Sequence, residues 1–180
     1  MTKYSFKVLL LGAPAVGKTS ILYRFVKNQF SHDYITTIGI NYLTKEIHME
    51  KKDFAKLVIW DIAGQKKFEF LHKQYYEGTQ GALVIFDLTQ IKTYEALETW
   101  VSEMFSILKE KIPFIIIGNK VDLIEDVGRS IDNDVVKEYA EIKDSIYIET
   151  SAKTGENVED AFKELTHRMI TRASERIKDL

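Results

Sequence analysis

An α/β architecture is predicted for this chain of 180 residues: three layers built on a six-stranded, mostly parallel sheet with one antiparallel edge strand and about five helices. Two continuous apolar runs, residues 81–87 and 113–119, read as parallel strands covered on both faces. Apolar runs also alternate with stretches of helical period, the pattern of strands joined by crossover helices. A third apolar run, Val8 to Leu11, stops at a glycine that opens a phosphate-binding sequence.

The first strand is expected from Tyr4 to Leu11. Gly12-x4-Gly17-Lys18-Thr19 matches the P-loop, and Ile21, Leu22 and Phe25 behind it have helical spacing, so a helix is expected from about Gly17 to Asn28. This strand–loop–helix order makes the expected fold that of a P-loop NTPase. Residues 30–37 show no period and read as a loop. Alternation from Ile38 to Met49, a charged turn at residues 50–53 and the run from Phe54 to Trp60 form a hairpin. Asp61 to Gln65 breaks the strand pattern. A helical stretch follows with Phe68, Leu71 and Tyr75 on one side, stopping near Gly78. Between the two strongest strands, Tyr94 to Lys109 places Leu97, Val101, Phe105 and Leu108 at helical spacing. A helix from about Asp132 to Glu141 and a short strand at Ile146–Ile148 come next. Val158, Ala161, Phe162, Leu165 and Met169 stripe the last helix, with Asn157 placed to cap it. Repeats and linkers are absent and prolines occur only at 14 and 113, so a single domain over residues 1–180 is expected.

The loops at the carboxyl ends of the strands carry the chemistry, where open parallel sheets hold ligands. In the P-loop, the N–H groups of Ala15, Val16, Gly17, Lys18, Thr19 and Ser20 are candidates to wrap an anion, with the positive end of the next helix aimed at it. Lys18 adds a point charge for the β- and γ-phosphates, and the Thr19 hydroxyl suits Mg²⁺. Asp61, at the end of the third strand in Asp61-Ile62-Ala63-Gly64, is suited to hold the same ion through a water. Asn119-Lys120-Val121-Asp122 and Thr150-Ser151-Ala152-Lys153 leave the fifth and sixth strands. The Asp122 carboxylate can accept two hydrogen bonds side by side, from the ring N1–H and exocyclic amine of guanine. Adenine has no such donor pair, which leaves a charge unpaired against it. The Lys120 stem can lie along one face of the base, and the Ala152 amide can donate to the guanine carbonyl.

Taken together, these motifs resemble the small GTPases of the Ras superfamily over nearly the whole chain, and look closest to the Rab branch. Ile38-Gly39-Ile40-Asn41-Tyr42 resembles the Rab switch I motif, Lys56 to Gln65 its Trp-Asp-Thr-Ala-Gly-Gln segment, and Tyr75-Tyr76-Glu77-Gly78 its Tyr-Tyr-Arg-Gly. The resemblance implies a slow GTP-hydrolysing switch with GTP or GDP and Mg²⁺ as ligands. It implies that Thr37 joins Thr19 and Asp61 at the metal, that Phe30 packs on guanine, and that Tyr34 closes over the phosphates. It adds Gly64, Ser151 and Lys153 to the nucleotide site and makes Gln65 the residue that orients the attacking water, with Lys18 and Thr37 beside it in catalysis. Effectors, an exchange factor and an activating protein are the implied partners, met through the switch regions, about 30–40 and 61–78, and the trio Tyr42, Trp60 and Tyr75. Ordinary packing between the hairpin and the switch helix accounts equally for that trio.

Four departures from the pattern bear on function. Pro14 and Ala15 stand where Rab members usually carry Ser and Gly, and Pro14 crowds the space an arginine finger needs. Ile62 replaces a usual Thr, Lys66 inverts the charge after Gln65, and the chain ends without a cysteine-containing tail for prenylation. A GTP-loaded scaffold with little hydrolysis is the alternative reading of Pro14, against which Gln65 speaks. Lys and Arg total 25 against 27 Asp and Glu, so no basic field points to nucleic acid. Cysteine is absent, which excludes disulfides and cysteine–metal sites. With neither a signal peptide nor a membrane-length apolar run, a cytoplasmic monomer without a membrane anchor is expected.

Overall fold

The computed structural model describes residues 3–32, 37, 40–49, 54–63 and 74–178. Six strands form the sheet: β1 (Lys3–Leu11), β2 (Ile40–His48), β3 (Phe54–Ile62), β4 (Gly81–Asp87), β5 (Phe114–Asn119) and β6 (Ile146–Thr150). Their spatial order is β2-β3-β1-β4-β5-β6. Only β2 runs antiparallel to its neighbour, and that pairing sets Tyr42 opposite Trp60. Besides a helical segment at residues 74–76, the helices among the described residues are α1 (Lys18–Lys27), α2 (Ile91–Glu95), α3 (Leu97–Leu108), α4 (Ile124–Val127), α5 (Asn133–Ile142) and α6 (Val158–Lys178).

Side chains of a strand alternate between faces, so a strand covered on both sides must be apolar throughout. Phe6, Val8 and Leu10 of β1 accordingly pack with Ile21, Leu22 and Phe25 of α1 and with Phe162, Leu165 and Met169 of α6. Leu9 and Leu11 point the other way, into a core shared with Leu97, Val101 and Met104 of α3 and Val136 and Ala140 of α5. Every residue of β4 and β5 is buried. Each large aliphatic side chain removed from water contributes roughly 1.5–3 kcal/mol, so these two cores are the main drive for folding. β1 and β4 are neighbours whose chains leave in opposite directions, toward β2 and β5 respectively. The crevice at their carboxyl ends is where the P-loop lies.

Differences from the expected elements have local causes. β3 continues through Asp61, which pairs with Leu10 on one side and Asn41 on the other, so the strand pattern breaks two residues later than expected. The helix expected from Tyr94 begins at Ile91 and is divided at Ala96. Thr93 causes the early start: its hydroxyl accepts the Asp87 N–H at 2.9 Å and donates to the Gln90 carbonyl at 2.7 Å. Met104 takes the buried position on α3, and Phe105 is only half-buried. A 3₁₀ turn at Val121–Leu123 takes in the end of the Asn119–Asp122 motif and α4 follows it, where no helix was expected. Asn157 precedes α6 with φ 54, and its side-chain amide donates to the Glu149 carbonyl at 2.8 Å, tying the helix start to β6. Of the helical stretch expected between Phe68 and Gly78, residues 74–76 are helical and 64–73 lie outside the described residues.

Candidate nucleotide-binding site

The P-loop closes on itself because its glycines allow it. Gly12 adopts φ 142, and a Cβ there would come within 2.1 Å of the Ile85 carbonyl oxygen. Gly17 adopts φ 100 and is the N-cap of α1; its missing side chain leaves the first-turn N–H groups of that helix to an anion. A Cβ at Gly17 would meet Asn119 Nδ2 at 2.2 Å. Ala15 sits at φ 64 beside an exposed Pro14, so the loop bears the modest cost of an alanine in left-handed backbone.

Lys18 is buried, and its ammonium donates to the carbonyls of Gly12 at 2.8 Å and Ala13 at 2.9 Å. Burial lowers its pKa to about 8, with the nearby Asp61 carboxylate pulling the other way. A buried ammonium with only carbonyl partners gains from an arriving anion. Thr19 and Thr37 bring their hydroxyl oxygens within 2.7 Å of each other. The Thr19 hydroxyl also donates to Asp61 Oδ2, and Thr37 Oγ1 lies 3.4 Å from that same oxygen. Asp61 is fully buried, its second oxygen Oδ1 has no hydrogen-bond partner among the described residues, and burial raises its pKa. Two hydroxyls and one under-satisfied carboxylate, all hard oxygen donors, fit Mg²⁺. A cluster of three or more His, Cys, Asp or Glu is absent among the described residues, so a metal here would complete its shell from phosphate and water.

On the other flank, Asn119 joins three segments. Its Nδ2 donates to the Val16 carbonyl at 2.9 Å, and its Oδ1 accepts from the Thr150 hydroxyl at 3.0 Å and the Ala152 N–H at 3.3 Å. Asn119 is therefore the pin between the P-loop and the β6 loop. That long 3.3 Å bond is the one the Ala152 N–H makes, the group expected to face a guanine carbonyl. Asp122 stands half-buried in the 3₁₀ turn, and Ser151, fully buried, donates to its Oδ1 at 2.6 Å. Lys120 adopts φ 72, and its ammonium pairs with Asp87 Oδ2 at 2.7 Å. Lys153 is exposed, Val16 is buried and Ser20 half-buried in the first turn of α1. Phe30 is half-buried against the core and meets His32 edge-on at 5.1 Å between ring centroids. Tyr34, Gly64, Gln65 and Lys66 lie outside the described residues.

Sequence reasoning missed Asp87 and Arg24. Asp87, at the last position of β4, fixes Lys120 while Thr89 holds its other oxygen through N–H and hydroxyl at 2.9 and 2.7 Å. An aspartate ending a buried apolar strand was the available signal. Arg24 reads as an ordinary polar position of α1, and only the fold brings it to the Ser151–Lys153 loop.

The trio stacks outside the crevice. Tyr42 and Trp60 lie 5.2 Å apart between centroids and Trp60 and Tyr75 5.9 Å, with Tyr42 58% exposed. Lys7 Nζ sits 4.7 Å from the Trp60 ring centre and donates to the Glu77 carbonyl at 2.8 Å. Packing and exposure thus coexist in one cluster.

The family model described as Ras family matches residues 7–171. The chain is 38% identical over 176 residues to the Ras-related protein RABA1h of Arabidopsis thaliana, covering 98% of this chain and 79% of that protein. It is 36% identical over 176 residues to Ras-related protein Rab-25 of Oryctolagus cuniculus, covering 98% and 81%. Against Ras-related protein Rab-21 of Bos taurus it is 39% identical over 170 residues, covering 94% and 75%. With the P-loop, the base-side motifs and the six-stranded sheet order all in one chain, it belongs to the Ras family of small GTPases, among relatives of the Rab type.

Proposed function

We propose that residues 1–180 form one guanine-nucleotide switch domain that binds GTP with Mg²⁺, hydrolyses it slowly to GDP and phosphate, and presents its GTP state to effectors on the cytoplasmic side of trafficking membranes. The observation that supports this most strongly is the meeting of Thr19, Thr37 and Asp61 oxygens beside the buried Lys18 ammonium. Thr37 comes from the segment between α1 and β2, so its contact with the P-loop floor is one that a γ-phosphate could strengthen and its loss release.

Each residue then has a task. The Ala15–Ser20 N–H groups cradle the phosphates, and Lys18 neutralises them. Thr19 and Thr37 hydroxyls and the Asp61 carboxylate hold Mg²⁺, which when bound offsets charge on the phosphate oxygens. Gln65 orients the attacking water. Asp122 selects guanine, the Lys120 stem and Phe30 enclose the base, and Gly64, Tyr34, Ser151, Ala152 and Lys153 complete the site. Effector proteins, an exchange factor and an activating protein meet the protein, a monomer, at residues 30–40 and 61–78 and at Tyr42, Trp60 and Tyr75, a ring stack whose exposed Tyr42 supports a protein contact. Among the described residues, no helix is long and apolar enough to cross a membrane.

Chromatography of the nucleotide released on denaturing the purified protein tests the base choice. GDP or GTP is expected in near-equal amount to protein. An adenine nucleotide in its place would overturn the reading. Removing the Thr19 hydroxyl (Thr19→Ala) should weaken GTP more than GDP, and an EDTA-insensitive, wild-type GTP affinity in that variant would remove Thr19 from the metal site.

A further inference from the structure

Arg24 lies in the second half of α1, six residues beyond the P-loop lysine. Its guanidinium reaches across to the loop after β6. Nε donates to the Ala152 carbonyl at 2.8 Å and Nη2 to the Lys153 carbonyl at 2.6 Å. Nη1 donates to the Asn28 side-chain oxygen at 2.9 Å and, more weakly, to the Asn28 carbonyl at 3.4 Å. Asn28 is the C-cap of α1, and its own N–H returns to the Arg24 carbonyl at 3.0 Å. Three nitrogens of one planar fork are therefore committed, which fixes the plane of the group.

The loop it grips is also tied to the base-side motif, by the Ser151 hydroxyl on Asp122 and the Ala152 N–H on Asn119, and then to itself. The Gly155 N–H donates to the Ser151 carbonyl at 2.8 Å, the Ser151 N–H to Glu156 at 3.1 Å, and the Thr154 N–H to Ser151 Oγ at 3.0 Å. Those bonds set the curvature of the loop. The contacts of Arg24 set where its Ala152–Lys153 peptides stand relative to α1, the helix whose start bears the phosphates.

We propose that Arg24 is a positioning residue for base recognition: by holding the Ala152 and Lys153 carbonyls it fixes the neighbouring Ser151–Ala152 peptide, whose N–H donates to Asn119 Oδ1 at 3.3 Å and is shared with the carbonyl edge of a bound guanine, and it couples that loop to the phosphate-binding helix. This rests on the guanine-site reading above. Asp122 reads the opposite edge of the base through the N1–H and exocyclic amine, so the two contributions separate with base analogues. Inosine diphosphate lacks the exocyclic amine. 6-Thioguanosine diphosphate keeps both donors and replaces the carbonyl oxygen by a larger, weaker acceptor.

The test measures GDP dissociation and the affinities of GDP, inosine diphosphate and 6-thioguanosine diphosphate for the wild type, Arg24→Met and Arg24→Lys, each checked for a cooperative thermal melt. In Arg24→Met, GDP should leave about tenfold faster, the loss expected when charge-assisted hydrogen bonds go. Its preference for GDP over the thio analogue should fall at least about threefold while its preference over inosine diphosphate stays within about twofold of wild type. Arg24→Lys should fall between, because a lysine reaches one carbonyl and not two. Wild-type ratios in Arg24→Met, or an equal fall in both ratios, would overturn the role of Arg24. A wild type that does not prefer GDP over inosine diphosphate would instead overturn the base-site reading itself. Should Arg24→Met fail to fold, the Arg24→Lys ratios decide by the same criteria.

Discussion

Asp61 concentrates the conflict between stability and function at the level of single residues. A fully buried carboxylate with one unpartnered oxygen costs the fold free energy, which a bound cation returns. Asp61→Asn should leave the thermal midpoint of the nucleotide-free protein unchanged or higher, while the Mg²⁺-dependent gain in GTP affinity falls by about tenfold or more. Calorimetry of the stripped protein and titration with and without EDTA measure the two effects, and a large loss of stability would show the carboxylate to be structural. Asn119 is the opposite case, with both ends of its amide used. Asn119→Ala strands the Val16 carbonyl and the Thr150 hydroxyl in the interior, so a loss of roughly 2–3 kcal/mol is expected in urea denaturation. Its role was legible only in part: the sequence motif placed Asn119 at the base-side loop, but the bond to Val16 depends on β1 and β5 ending at the same edge of the sheet with β4 between them.

Elements dock through a mixture of apolar stripes and a few polar bridges. Glu98 on α3 is the clearest bridge, accepting from Lys143 and the Tyr139 hydroxyl at 2.9 and 2.8 Å and from Ser102 on its own helix at 2.9 Å. These partners, the Lys143 ammonium first, hold the Glu98 carboxyl below its usual range. A carboxyl whose pKa is depressed by folding stabilises the fold above its unfolded pKa, near 4.3, and that contribution is lost as pH falls through the lower folded value. Glu98→Gln should therefore cost under about 1 kcal/mol at pH 7, since the pair is largely exposed, and nothing once both states are protonated. Urea midpoints of both proteins at pH 7 and pH 3 measure the difference.

At this scale the sequence was legible wherever one period dominated. β4 and β5 were foreseen within a residue because seven and six consecutive positions are buried. The hairpin followed from alternation. The ends were less legible: β3 runs on through a buried aspartate, Thr93 starts a helix early, and α4 has four residues and no buried stripe to announce it.

For the whole molecule, the sheet order puts the P-loop, the proposed metal-holding residues and the proposed base loops at one edge, and the Tyr42–Trp60–Tyr75 stack, exposed at Tyr42, at the β2 side of the same edge. In the proposed switch, the path from Thr37 to that stack is short, since β2 begins at Ile40 and pairs at once with Ile62 beside Asp61. Pro14 is exposed at the loop mouth and lacks an N–H that the phosphates could use. Pro14→Gly should change the intrinsic rate little and enlarge the response to an activating protein, whose arginine finger is worth ~10³–10⁵ in rate. Such a pattern is read by comparing hydrolysis with and without that protein. Single-turnover phosphate release from GTP, for the wild type and Gln65→Leu with Mg²⁺ and with EDTA, tests the switch account most directly. A slow release that needs Mg²⁺ and is largely lost in Gln65→Leu is the predicted result; a wild type that binds GTP and releases no phosphate would contradict it and leave a GTP-loaded scaffold.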